Sequence, residues 1–249
     1  MSGHNKWSSI KHKKGAADAK RGKVFTKLGK EIVIAARMGG GDQEANPRLR
    51  TAVQAARAQN MPKDNIERAI KRGTGEIEGV IYEEITYEGY GHGGVAILID
   101  CTTDNKNRTV AEVRHTLGKY GGSMAESGSV SWNFEQKGFF LIPADGKDED
   151  EFMMEALEAG AEDVKLEDDM FEVYTIASDF HTVMKSFEDM GYEPQDPALI
   201  KVPKTTVNAD DVAEKLMKLL DHLDDLDDTQ KVWANFDISD EVMEKLNQE

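Results

Sequence analysis

The chain has one cysteine, Cys101, in 249 residues, which excludes an internal disulfide framework and fits a reducing compartment. Cys101 lies in an apolar run, so its expected role is that of a small buried hydrophobe rather than a nucleophile. Long hydrophobic runs are missing too: stretches such as residues 95–99 fall far short of the ~20 apolar residues that cross a bilayer. Met1 is followed at once by Ser2-Gly3-His4-Asn5-Lys6-Trp7, without the hydrophobic core of a secretory signal or an acid-free transit leader. A cytoplasmic location and no membrane partner are expected.

Groupings that signal catalysis are equally scarce. The six histidines, His4, His12, His92, His115, His181 and His222, are dispersed with no HExxH and no CxxC beside them, so no zinc site is expected. Gly15, Gly22 and Lys23 resemble a phosphate-binding loop at a glance, but the glycine spacing is wrong and no Ser or Thr follows the lysine. Gly121-Gly122-Ser123-Met124-Ala125 lacks the last glycine of a nucleophile elbow. The acidic runs 145–151 and 221–228 lack the glycine-bearing order of a calcium loop and are expected to be solvated. No enzymatic activity, metal or cofactor is expected.

Positive charge is scarce after residue 73 and abundant before it. The first 73 residues carry 17 Lys+Arg against 6 Asp+Glu, a balance of +11, while the remaining 176 carry 14 against 41, a balance of −27. The total of −16 and the pI near 4.9 therefore conceal a basic block of the kind a polyanion-binding surface requires, since each neutralised phosphate releases a condensed counterion. An acidic remainder limits indiscriminate association. The length exceeds the commonest single-domain size, so two or three domains are expected.

Residues 16–38 are mostly good helix formers, with Val24, Leu28, Ile32 and Ala35 on one face. Lys20, Lys23, Lys27 and Lys30 form a stripe beside that face, interrupted only by Asp18 and Glu31. A solvated face normally mixes signs, so the stripe is read as tracking phosphates, with Arg21 beside it. Gly39-Gly40-Gly41-Asp42 ends this helix, and Asn46-Pro47 caps and opens the next, which carries Arg48, Arg50 and Arg57. Pro62 starts a third helix ending in Lys71-Arg72-Gly73, where glycine suits a left-handed cap. Lys71 and Arg72 serve the helix dipole as well as they would serve binding, and rank below the first helix. Residues 1–15 hold Lys6, Lys11, Lys13 and Lys14 around Trp7 and have few apolar groups to bury, the composition of a segment that orders on a partner. Trp7 suits either stacking on a base or anchoring the arm, and composition leaves both open.

Past residue 79 the pattern changes. Strands are expected at 81–88 and 95–100 around a Gly-rich turn, a helix at 107–120, and a strand at 130–135. Then come a strand at 139–143, a helix at 148–159, strands at 164–167 and 170–177, a helix at 180–190 and a strand at 199–202. That order, βαββαβ, is the ferredoxin-like pattern. A helix through Val212, Leu216, Leu219 and Leu223 and a strand at 231–237 follow. The reading is an α+β protein: a basic three-helix domain over 1–78, a discontinuous α+β domain over 79–135 and 205–249, and a ferredoxin-like domain inserted at 136–204.

Several long words resemble the YebC family: Gly3-His4-Asn5-Lys6-Trp7, Ile10-Lys11-His12-Lys13-Lys14, Asn46-Pro47-Arg48-Leu49-Arg50, Asn60-Met61-Pro62-Lys63-Asp64-Asn65-Ile66, Tyr87-Glu88-Gly89-Tyr90-Gly91, Thr103-Asp104-Asn105-Lys106-Asn107-Arg108-Thr109, Gly128-Ser129-Val130 and Asn235-Phe236-Asp237. The match runs nearly end to end, with His92 where proline is usual and Asn5 in place of a common serine. The resemblance implies a helical domain and two α+β domains around a cleft, the middle one discontinuous. It also implies a non-enzymatic role, either as a DNA-binding transcriptional regulator or as a ribosome-associated factor that assists translation of difficult stretches such as consecutive prolines. The family's relatives include the mitochondrial translational activator of cytochrome c oxidase.

The residues expected to meet nucleic acid are therefore Lys6, Trp7, Lys11, Lys13, Lys14, Lys20, Arg21, Lys23, Lys27, Lys30, Arg48 and Arg50. Outside the basic block, Asp104, Asn105, Lys106, Asn107, Arg108 and Thr109 form one polar cluster. These residue types are expected as turn and cap residues, with the alternative that Lys106 and Arg108 face a cleft and meet a phosphate or a protein. The partner is expected to be DNA, or ribosomal or transfer RNA and with it the ribosome. No base-reading helix can be assigned, so sequence specificity should be weak. A monomer is favoured.

Overall fold

The computed structural model describes residues 18–167 and 169–248; for residues 18–21, 244, 247 and 248 it describes only the backbone. The protein is α+β, a helical region followed by sheet-containing regions. Phe134–Val202 forms one compact unit, and the described residues of Ser2–Asn133 together with Pro203–Glu249 form the other.

The larger unit begins with three helices, α1 (Asp18–Gly39), α2 (Pro47–Ala58) and α3 (Lys63–Thr74), packed around Ile32, Val33, Leu49, Val53, Ala56 and Ile66. Asn46 caps α2 as its sequence suggests, its side chain accepting from the Leu49 N–H at 3.1 Å with Pro47 in the first turn. α1 departs from the single buried stripe. Val24 and Leu28 are only half-buried, whereas Lys30 and every residue from 32 to 36 are buried, because the helix is covered on more than one side. Gly73 is not a left-handed cap; it lies inside α3, and a Cβ there would meet the Val33 carbonyl oxygen at 2.5 Å and the Ala36 Cβ at 2.6 Å. Glycine lets α3 touch the backbone of α1, and the left-handed cap is Gly75, at φ 82°.

The same unit continues through β1 (Glu83–Tyr90), β2 (Ala96–Thr103), α4 (Lys106–Lys119) and β3 (Ser123–Ala125). It resumes with β8 (Val207–Asn208), α7 (Ala213–Asp224), β9 (Thr229–Ala234), β10 (Phe236–Asp237) and α8 (Asp240–Gln248). Its main sheet has the order β3-β1-β2-β9, all neighbours antiparallel. This is the ferredoxin-like order with the third strand moved to the front of the chain. Ile97, Ile99 and Cys101 on one face meet Val113 and Leu117 of α4 and Leu216, Leu219 and Leu220 of α7.

The smaller unit comprises β4 (Phe134–Pro143), α5 (Glu149–Glu158), β5 (Asp163–Glu167), β6 (Met170–Ile176), α6 (Phe180–Asp189) and β7 (Gln195–Pro203). Its sheet order, β5-β6-β4-β7, is the ferredoxin-like one, over a core of Phe140, Phe152, Phe171, Phe180 and Phe187. Two expectations are corrected here. Residues 131–133 form a 3₁₀ turn instead of a strand, and β4 runs unbroken through Gly138. A Cβ at Gly138 would lie 2.6 Å from the Phe180 ring, so this glycine serves close packing and does not end the strand. The fourth strand of the larger unit's sheet is instead β3, whose three residues are too few to show alternation.

Candidate nucleic-acid interface

Along α1, Lys23, Lys27 and Lys30 recur about one turn apart, as expected, but they point into the protein's own acidic loop. The Lys23 ammonium donates to the Asp225 carbonyl at 2.9 Å. Lys27 donates to the Asp224 carbonyl at 2.7 Å and its carboxylate at 3.2 Å. Lys30 is buried and donates to the carbonyls of Thr102 and Asp227 at 3.1 and 2.9 Å and to the Asp228 carboxylate at 2.8 Å. The acceptors follow from local structure: Asp224 and Asp225 end α7, where unpaired carbonyls and the negative pole of the helix attract cations. Run 221–228 is thus no simple solvated loop, for Asp228 is 3 % exposed.

Asp228 gathers donors from three segments. Besides Lys30 it accepts from Arg108 at 2.7 Å, from the Thr109 hydroxyl at 2.8 Å and from the Thr103 hydroxyl at 3.1 Å. Burial alone would push its carboxyl up, but the bonds from Lys30, Arg108 and Thr109 outweigh this and hold it down at about 2. The polar cluster at 104–109 is largely accounted for by these contacts. Asn105 caps α4 by accepting from the Arg108 N–H, Arg108 bridges Asp104 and Asp228, and Lys106 pairs with Glu83 at 2.6 Å.

The predicted arginines of α2 are also engaged. Arg48 grips Glu31 and Glu84, with closest approaches of 2.8 and 2.6 Å. Arg50 donates to the carbonyls of Gln43 and Glu44, bracing the turn before α2. Of the other predicted residues, Lys6, Trp7, Lys11, Lys13 and Lys14 lie outside the described residues, and Lys20 and Arg21 are described in backbone only. Four cations that the sequence ranked low or passed over behave differently. Arg57 at the end of α2, and Arg68, Lys71 and Arg72 in the second half of α3, are exposed, and among the described residues no side-chain partner holds them. The α3 pattern contained that signal: Arg68 and Lys71 lie opposite the buried Ile66 and Ala69, and Arg72 flanks that face.

Chemistry beyond charge is meagre. Among the described residues no group of His, Cys, Asp or Glu is placed to hold a metal ion, and no helix is long and apolar enough to cross a membrane. Cys101 is buried and its thiol is pushed up to about 12 by that burial. Glu88, also buried, accepts the N–H groups of Gly128, Val130 and Ser131 at 2.7 to 3.0 Å. It anchors the loop that precedes the 3₁₀ turn.

Comparison with known proteins bears on the arrangement as a whole. Residues 5–76 match the model of the TACO1/YebC protein N-terminal domain, and residues 82–236 match that of the TACO1/YebC second and third domain. A protein of Syntrophobacter fumaroxidans called "probable transcriptional regulatory protein" is 56 % identical over 99 % of this chain and 100 % of its own length. One of the same description from Geobacter sulfurreducens is 58 % identical, with the same coverage. The crystal structure of a conserved hypothetical protein from Aquifex aeolicus superimposes with a TM-score of 0.81 at 47 % identity, covering 90 % of this chain and 93 % of that one.

Proposed function

The chain belongs to the TACO1/YebC family, and on that footing we propose that it is a non-enzymatic, cytoplasmic regulator of transcription that binds DNA. The observation that carries the reading is the +11 balance of the first 73 residues. The exposed Arg57, Arg68, Lys71 and Arg72 and the descriptions of the relatives add to it. Contact falls to domain 1–78: the four cations on α2 and α3 and the basic residues Lys6, Lys11, Lys13, Lys14, Lys20 and Arg21. Lys30, Arg48 and Arg50 hold the fold around that surface. The discontinuous domain, 79–135 with 205–249, and the inserted domain, 136–204, supply acidic surface that discourages unspecific association.

Fluorescence anisotropy of the full chain with duplex DNA is the direct test. Affinity should fall ~10³-fold or more between about 50 and 200 mM salt if six or more phosphates are engaged. Crosslinking in cells followed by sequencing of the attached nucleic acid decides the level of action. Predominantly DNA is the expected outcome, and discrete promoter sites within it would reject translation; predominantly ribosomal or transfer RNA rejects the transcriptional reading in favour of a ribosome-associated role.

A further inference from the structure

Lys23, Lys27 and Lys30 form the most regular row of cations in the described chain, and all three are spent on residues 224–228. Their exposure is graded. Lys23 is exposed, the Lys27 side chain is 19 % exposed and the Lys30 side chain 8 %. Ion pairs and charged hydrogen bonds at exposed positions contribute only ~0–1 kcal/mol and yield to competing ions. A buried pair that also receives further hydrogen bonds does not exchange so readily. The acceptors resemble what a nucleic-acid backbone offers: a succession of oxygens, two of them carbonyls at the negative end of α7, amid five aspartates, Asp221, Asp224, Asp225, Asp227 and Asp228.

From this we infer that residues 224–228 act as an internal stand-in for a phosphate backbone, occupying the α1 lysine row until a nucleic acid displaces it from the outer two lysines. Lys30 stays fixed on Asp228, so α1 pivots on a retained anchor while Lys23 and Lys27 pass from carbonyl and carboxylate oxygens to phosphate oxygens. The closed state is then the weaker binder, and a polyanion shifts the balance because it makes those two contacts only in the open state. The inference rests on the nucleic-acid reading and adds a built-in competitor to it.

The test compares three full-length proteins: the natural chain, Asp224→Asn/Asp225→Asn/Asp227→Asn, and a control, Glu149→Gln/Asp150→Asn/Glu151→Gln, which removes the same charge from an exposed helix start. A fluorescent duplex DNA is titrated against each across a salt series. The first variant should bind about tenfold more tightly than the control, with a salt slope steeper by about one, because it takes the Asp224 carboxylate from Lys27 and leaves the carbonyl contacts of both outer lysines in place. Saturating duplex should also speed amide exchange at the end of α7 in the natural chain. Equal affinity gains in both variants, or none in the first, together with unchanged exchange in a natural chain that does bind, overturn the competitor. Absence of binding by all three at low salt overturns the nucleic-acid reading and the competitor with it.

Discussion

Asp228 is 3 % exposed yet ionised, because Lys30, Arg108, Thr103 and Thr109 all donate to it. Its folded carboxyl titrates at about 2, below the ~3.9 of an unfolded aspartate. The stabilisation it brings is therefore complete above the unfolded value and is lost as pH falls through 4 towards 2. Replacing it by Asn should cost about 3 kcal/mol or more at neutral pH, because Lys30 is left buried without its counter-charge. Thermal melts from pH 7 to 2 should show the gap between natural chain and Asp228→Asn closing below about pH 4. A constant gap would refute the assignment. Nothing near Asp228 in the sequence announces this role, since Thr109 lies 119 positions away and Lys30 lies 198 away. The caps Asn46 and Asn105 were legible because each acts on an amide three residues on.

Among elements, α3 shows how far periodicity reaches. Its buried face follows from the spacing of Ile66 and Ala69, but the identity of its cap did not, because Gly73 and Gly75 look alike in sequence. One is needed for a close approach to α1 and the other for a positive φ. Gly73→Ala should destabilise by about 1–3 kcal/mol through overpacking against Val33 and Ala36. Gly75→Ala should cost about 1 kcal/mol from left-handed strain alone. Urea unfolding midpoints separate the two, and a smaller loss at Gly73 than at Gly75 would contradict the packing argument. The inserted βαββαβ succession was read nearly element for element because each strand and helix there is long enough to show its period. β3 was missed for its brevity, and the strands expected at 130–135 and 139–143 stand where the single β4 runs from Phe134 to Pro143.

At the scale of the molecule, the two electrostatic halves meet in the chain itself before either meets a partner. Reversing Arg57, Arg68, Lys71 and Arg72 to Glu should reduce affinity for duplex DNA at least tenfold and lower the salt slope by as much as about 3.6, or 0.9 for each phosphate no longer neutralised. Stability should fall only modestly, by up to about 1 kcal/mol each at Arg57, Lys71 and Arg72, which sit at the negative ends of α2 and α3, and by no more than ~0.5 kcal/mol at Arg68. Unaltered binding in a folded variant would remove these four residues from the interface. The sequence by itself determined the charge division, the caps Asn46 and Asn105, the buried face of α3 and the βαββαβ succession of the smaller unit, because all of these are set by composition or by spacing within a few residues. Only the tertiary structure decided which cations remain available. Helical period fixes the side of α1 on which Lys23, Lys27 and Lys30 project, but what waits on that side, the acidic end of α7, is brought there by packing across nearly 200 residues of chain.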